Sequence, residues 1–220
     1  EYYRIMNEQV KEQLGGLHSA KSLLYSVDFD EIERYQSEGD WDSAGKQLAN
    51  VAISLEKAGA DFIVLCTNTM HKVIDDIEKK VGIPVLHIGD ATAAKIKASS
   101  TNRVGLLGTK YTMEQQFYKS RLEANGLDVI VPKETERDKL NKVIFEELCL
   151  GKIHSASKEY YQKVMQNLVD DGAEGIILGC TEIGLLIKPE DAEVPLFDTA
   201  IIHAQEAVNQ ALANDEIDKQ

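Results

Sequence analysis

Cysteine, proline and aromatic residues are scarce in this chain. Three cysteines, four prolines and one tryptophan are spread over 220 residues, and only 6% of the residues are aromatic. An odd number of cysteines at irregular spacing, with no CxxC pair, argues against a disulfide framework. It suits the reduced thiols of a cytoplasmic protein. No apolar run approaches the roughly 20 residues of a membrane helix, and no basic, apolar leader is visible, so no membrane partner is expected. Positive charge is scarce as well: Lys and Arg number 24 against 37 Asp and Glu, a formal charge of −13. That field repels nucleic acid and anionic lipid, and no basic cluster offsets it locally. It also repels a small acidic substrate, which therefore needs dedicated donors. His18, His87, His154 and His203 show neither HxxxH nor HExxH spacing, so no metal is expected.

What is present is ordinary globular composition, 43% apolar and 28% charged, in a chain long enough for one large domain or two small ones. Short apolar runs alternate with helical patterns. The spacing predicts helices over 2–14, 41–58, 70–81, 90–99, 112–125, 135–150, 155–170 and 199–213. It predicts strands over 19–27, 61–66, 84–88, 103–107, 127–131, 175–178 and 195–197, and a solvated charge run over 30–38. Continuously apolar strands separated by helices point to an α/β fold with mainly parallel sheets flanked by helices.

The chain also repeats itself. Residues 55–69 lie over 168–182 without a gap. Leu55 matches Leu168, Gly59 matches Gly172, Ala60 matches Ala173, and an acid follows in each copy. Each copy reads as helix, glycine stop, buried strand and polar turn, and each leads to a further strand opening at Pro84 or Pro195. The expectation is two similar lobes related by a pseudo-twofold axis, with the active site between them. The first spans 1–95, with the C-terminal helix 199–213 packing back on it, and the second spans 96–198. The second lobe has a strand and glycine turn over 103–112 ahead of its helix. Symmetry predicts an equivalent strand and turn ahead of Glu1.

In parallel α/β sheets, ligands sit beyond the C-terminal ends of strands. Both repeat units end there in small polar residues, 66–69 and 180–182. A thiol at the start of a following helix has its thiolate favoured by the free amides and the macrodipole. The same amides, with Thr and Asn side chains, can receive a carboxylate. Two such ends facing each other suit stereochemical inversion, in which one group removes a proton and another returns one to the opposite face.

These residues resemble a known family. Asn68-Thr69-Met70-His71 looks like its Cys-Asn-Thr-x-His motif, and Gly179-Cys180-Thr181-Glu182 like its Gly-Cys-Thr-Glu motif. Segments 26–29 and 107–112 recur with them. The chain thus resembles the aspartate/glutamate racemase family, and most closely its bacterial amino-acid racemase branch. The resemblance implies racemisation of an acidic amino acid without pyridoxal phosphate or other cofactor, by two cysteine acid/base groups, in a homodimer. It places Asn68, Thr69, Thr109, Tyr111, Thr112, Thr181 and Glu182 against the substrate.

One position departs from the pattern. Both the motif and the internal repeat put Thr67, not Cys66, where the family has its first cysteine; Gly59 to Thr67 is the same spacing as Gly172 to Cys180. Neighbouring residues on a strand point to opposite faces, so Cys66 aims away. Cys180 and Thr67 are therefore the expected catalytic pair. A thiol titrates near ~8.5, whereas a threonine hydroxyl has no comparable anion. The resemblance assigns the second-lobe cysteine to the L-enantiomer, so proton removal from L-aspartate or L-glutamate is expected. Two alternatives stand beside this reading. One is a single-cysteine isomerase or decarboxylase of a small diacid in the same superfamily. The other is a non-catalytic amino-acid-binding sensor.

Overall fold

A computed structural model of the chain describes residues 1–217. The internal repeat acquires a backbone explanation. The helix Trp41–Lys57 and the helix Ser155–Asp170 each end in a Schellman turn. The Ala60 amide bonds the Leu55 carbonyl at 3.1 Å, and Gly59 bonds Glu56 at 2.9 Å; Ala173 and Gly172 bond Leu168 and Val169 in the same way, both at 2.9 Å. Gly59 and Gly172 sit at φ +95° and +96°, a region that L side chains rarely adopt. Each helix is thus stopped at one residue and the chain is returned into a strand.

The elements in chain order are α1 (Tyr2–Leu14), α2 (Phe29–Glu38), α3 (Trp41–Lys57), β1 (Ile63–Val64), α4 (Ile74–Glu78), β2 (Val85–Leu86), α5 (Ile88–Ala98) and β3 (Arg103–Gly108). There follow α6 (Lys110–Glu114), α7 (Gln116–Ala124), β4 (Asp128–Ile130), α8 (Glu134–Glu146), α9 (Ser155–Asp170), β5 (Gly175–Gly179), α10 (Ile183–Leu186), β6 (Leu196–Asp198) and α11 (Thr199–Ile217). The strands form two parallel sheets, β1-β2 and β4-β3-β5-β6. In the larger one β3 runs beside β5 with Val104 opposite Gly175 and Gly108 opposite Gly179.

Both faces of that sheet are covered, and the strand pleat sorts the side chains. Leu107, Ile176 and Leu178 join Leu140, Ile144, Tyr161, Val164 and Leu168 from α8 and α9. Leu106, Val104 and Ile177 point the other way, into Ile88, Ile96, Tyr118, Leu122 and Ile202. Gly105 permits this close packing, since a Cβ there would stand 2.7 Å from Ile176 Cδ1 and 2.9 Å from Leu168 Cδ1. Around the smaller sheet, Ile32, Ala44, Leu48, Ala52 and Ile63 pack with Met70, Val73 and Ile77. Helix α11 contacts both α1 and α5.

Several elements differ from the sequence expectation. Residues 19–27 form no strand; they run irregularly and mostly exposed, with Leu23, Leu24 and Tyr25 facing outward. Their β propensity finds no partner edge, and a strand exists only where a ladder completes its backbone bonds. The charge run 30–38 is instead helix α2, started by Asp28 Oδ1, which accepts from the Asp30 amide at 3.1 Å. The helix expected over 70–81 splits into a 3-10 turn, Thr69–Val73, and the five-residue α4. The one expected over 112–125 starts early, because Thr109 caps it at the Thr112 amide, and breaks at Gln115, whose backbone is extended.

Leu106 is fully buried in β3. Leu106→Ala is expected to cost about 2–5 kcal/mol of stability in urea denaturation. A cost under ~1 kcal/mol would contradict the assignment of this face as close-packed core.

Candidate active site

The site grows from the matched ends of β3 and β5. A Cβ on Gly108 would lie 2.8 Å from the Gly179 carbonyl, and one on Gly179 would lie 2.7 Å from the Leu107 carbonyl. Only glycine fits at this approach, and it sends Thr109 and Cys180 out of the sheet from adjacent strand ends. The end of β1 reaches the same place by two hydrogen-bond routes. Asn68 Nδ2 donates to Thr199 Oγ1 at 2.9 Å, and that hydroxyl donates to the Leu178 carbonyl at 2.9 Å, two residues before Cys180. Thr69 Oγ1 lies 2.9 Å from Thr109 Oγ1, with Thr112 Oγ1 at 3.2 Å from Thr109 and 3.5 Å from Thr69. All three threonines are buried.

Asn68 is buried too, and its Oδ1 has no hydrogen-bond partner. An unpaired buried acceptor costs about 1–3 kcal/mol. It can accept from a bound N–H donor, and an ammonium group has that chemistry.

Cys180 is buried, and its Sγ donates to Glu182 Oε2 at 3.0 Å; Thr181 Oγ1 donates to the same oxygen at 2.7 Å. Burial, and then the negative charge of Glu182, push the Cys180 thiol well above its ordinary range. This differs from the sequence expectation of a thiolate favoured by a helix. The helix after Cys180 has four residues and the turn after Asn68 is 3-10, so neither carries much of a macrodipole. In the free protein Cys180 is a thiol bonded to a carboxylate.

Thr67 is half-buried. Its amide bonds the Leu65 carbonyl at 2.8 Å, and its own carbonyl meets His71 Nδ1 at 2.7 Å. Cys66 is exposed and its sulfur turns back on the Val64 carbonyl at 3.5 Å. Tyr111 stands apart from the threonine triangle. Its hydroxyl donates to the Gln36 carbonyl at 3.0 Å, and its ring meets Trp41 edge-on at 5.2 Å. Lys72 Nζ covers the Trp41 ring at 3.8 Å. Tyr111 instead borders an open cleft of about 660 Å³ shared with Lys110, Asp138, Asn141 and Glu146. Asn68, Thr69, Thr109 and Thr112 are therefore brought together, Cys180, Thr181 and Glu182 form the adjoining group, and Tyr111 faces α2 and α3.

Residues that sequence reasoning set aside lie behind Thr67. The rings of His71 and His87 are 4.5 Å apart and those of His71 and His203 6.1 Å. His203 Nε2 meets the Leu86 carbonyl at 2.9 Å, and its Nδ1 meets the Tyr2 hydroxyl at 2.9 Å. His87 Nδ1 accepts from the Gly89 amide at 3.0 Å. The motif that contains His71 was the available signal, whereas nothing in the spacing of His87 and His203 announces the cluster. Among the described residues no group of His, Cys, Asp and Glu is placed to hold a metal ion, and no helix is long and apolar enough to cross a membrane.

Comparison with known proteins places this geometry. Residues 1–207 match the family described as Asp/Glu/Hydantoin racemase. The chain is 57% identical to a Yersinia pestis protein described as a candidate Asp/Glu racemase, whose crystal structure superposes with a TM-score of 0.89, covering 96% of this chain and 92% of that one. It is 37% identical, with a TM-score of 0.81 over the same shares, to an aspartate racemase homologue from Pyrococcus horikoshii. Among curated proteins it is 28% identical to the broad specificity amino-acid racemase RacX of Bacillus subtilis, over 79% of this chain and 75% of that protein. The chain belongs to the Asp/Glu/hydantoin racemase family. It shares that family's two-lobed α/β fold, and its membership supports an enzyme of the racemase, or isomerase, kind.

Burial is the main cause that lowers all three histidines, His87 and His203 to about 4 and His71 well below its ordinary value. Each binds a proton more readily in the unfolded chain, where the value is about 6.5. Their contribution to stability is therefore full above pH ~6.5 and is lost as pH falls toward about 4. The urea midpoint is expected to be lower at pH 5 than at pH 7. Equal midpoints would contradict neutral burial of these rings.

Proposed function

We propose that the protein racemises an acidic amino acid, aspartate or glutamate, without pyridoxal phosphate. Cys180 acts on the L-enantiomer, and Thr67 occupies the opposite catalytic position. The observation that carries this reading is the buried Cys180–Glu182 pair beside the unpartnered Oδ1 of Asn68. An incoming ammonium group satisfies Asn68 Oδ1. Glu182 takes the thiol proton across the 3.0 Å bond and leaves a thiolate. The thiolate removes the proton on Cα, and the electron pair of the broken C–H bond moves onto the substrate α-carboxylate as an enediolate. Hydroxyls of Thr69, Thr109, Thr112 and Thr181 donate to carboxylate oxygens, a neutral way of holding anions in a chain of charge −13. A solvent proton relayed through the Thr67 hydroxyl to the opposite face of Cα completes inversion, and the proton held on Glu182 is released to solvent in its place. Because the Thr67 hydroxyl has no accessible anion, proton transfer on this face is the slow step in both directions, and exchange at Cα outpaces inversion. Tyr111 belongs to the outer approach of the substrate. The same reading carries a cytoplasmic homodimer with lobes dividing near residue 95.

Proton NMR of L-aspartate and L-glutamate in D₂O tests this. The wild type is expected to wash out the α-proton, with chiral analysis showing inversion, while Cys180→Ala loses at least ~10³-fold of the exchange rate. Tight binding without exchange would contradict the racemase reading and favour a sensor. The single cysteine at a catalytic position is what favours a diacid isomerase or decarboxylase. Thr67→Cys separates the two: a racemase is expected to gain about tenfold or more in inversion, equally in kcat/KM for the two directions. A one-cysteine enzyme gains nothing.

A further inference from the structure

His71 is a buried titratable residue that the chemistry above does not use. Its two ring nitrogens report its protonation by geometry. Nε2 lies 3.2 Å from the Ile88 amide, which can only donate, so Nε2 carries the lone pair. Nδ1 therefore carries the hydrogen and donates to the Thr67 carbonyl at 2.7 Å. The other peptide group of Thr67 is held as well, its N–H on the Leu65 carbonyl at 2.8 Å. With N–H and C=O both held, the backbone sets the Cα–Cβ direction from which the Thr67 hydroxyl projects. Ile88 opens α5, so the ring ties the catalytic turn of the first lobe to a rigid helix.

We propose that His71 is a positioning residue: its neutral Nδ1–H tautomer clamps the Thr67 carbonyl and sets the face from which the proton is returned to the substrate. The inference rests on the reading that Thr67 occupies the first catalytic position. The surroundings of the ring favour the neutral form. Burial is the first cause; Arg121 from α7 opposes a positive ring, His87 from the end of β2 and His203 from α11 compete for the same proton, and Asp90 is engaged by Arg121 at 2.6 and 2.7 Å. A second ring proton would also face the Ile88 N–H donor to donor.

Two substitutions separate the nitrogens. His71→Asn keeps an amide donor near the Nδ1 position. His71→Gln reaches the Nε2 position and gives up the Thr67 bond. The readout is the ratio of D-aspartate formed to α-deuterium incorporated from L-aspartate. The ratio is expected to fall about tenfold in His71→Gln and to stay within about threefold of wild type in His71→Asn, with Cys180-dependent exchange preserved in both. Equal ratios in the two variants, or parallel loss of exchange and inversion in both, would overturn the clamp. Nitrogen-15 NMR of the His71 ring in the wild type gives an answer independent of turnover. A neutral Nδ1–H ring from pH 8 down to about 5.5 is expected. An Nε2–H ring, or titration near the ordinary ~6.5, overturns it. Absence of exchange in the wild type would sink the racemase reading, and the ring spectrum would then decide the clamp alone.

Discussion

The hydrogen bonds that join the end of β1 to the ends of β3 and β5 are the constraint on which the rest depends. Asn68 reaches Leu178 through Thr199, and Thr69 reaches Thr109 directly. Without them the two repeat units would be separate strand–turn elements, each with a few polar groups. With them, Thr67 and Cys180 stand on turns held to one another through buried bonds that water does not weaken. The glycines at 108 and 179 serve the same end by letting β3 and β5 finish side by side.

The electrostatics follow from that closure. Burial beside Glu182 makes the thiol a poor acid in this structure. In the proposed reading, a carboxylate held by threonine hydroxyls and an ammonium held by an amide oxygen need no fixed cation in a chain of charge −13. Cys66 lies beyond the end of β1, in the turn that the Thr67 amide closes on Leu65, and its sulfur folds back on the Val64 carbonyl.

Much of this was legible in the amino-acid order. Gly59 and Gly172 announced the helix stops, most apolar runs announced strands, and the motif residues Asn68, Thr69 and Thr109 announced the bonds that join the strand ends. What was not legible depends on partners distant in sequence. The run 19–27 has strand composition but no edge to join, and the charges of 30–38 hide a capped amphipathic helix with Ile32 and Gln36 buried. Tyr111 lies in the right turn, yet its ring is claimed by Trp41 and its hydroxyl by Gln36. The short helices behind Cys180 and Asn68 removed the expected macrodipole. His71, His87 and His203 meet only because β1, α5 and α11 converge, and no local spacing encodes that meeting.

A crystal structure with L-aspartate bound tests the convergence of the two strand ends most directly. The expected density places the ammonium group within hydrogen-bond distance of Asn68 Oδ1, with Cα between Thr67 and Cys180. Density for the ligand in the outer cleft beside Lys110, Tyr111 and Glu146, with Asn68 and Cys180 untouched, would contradict it.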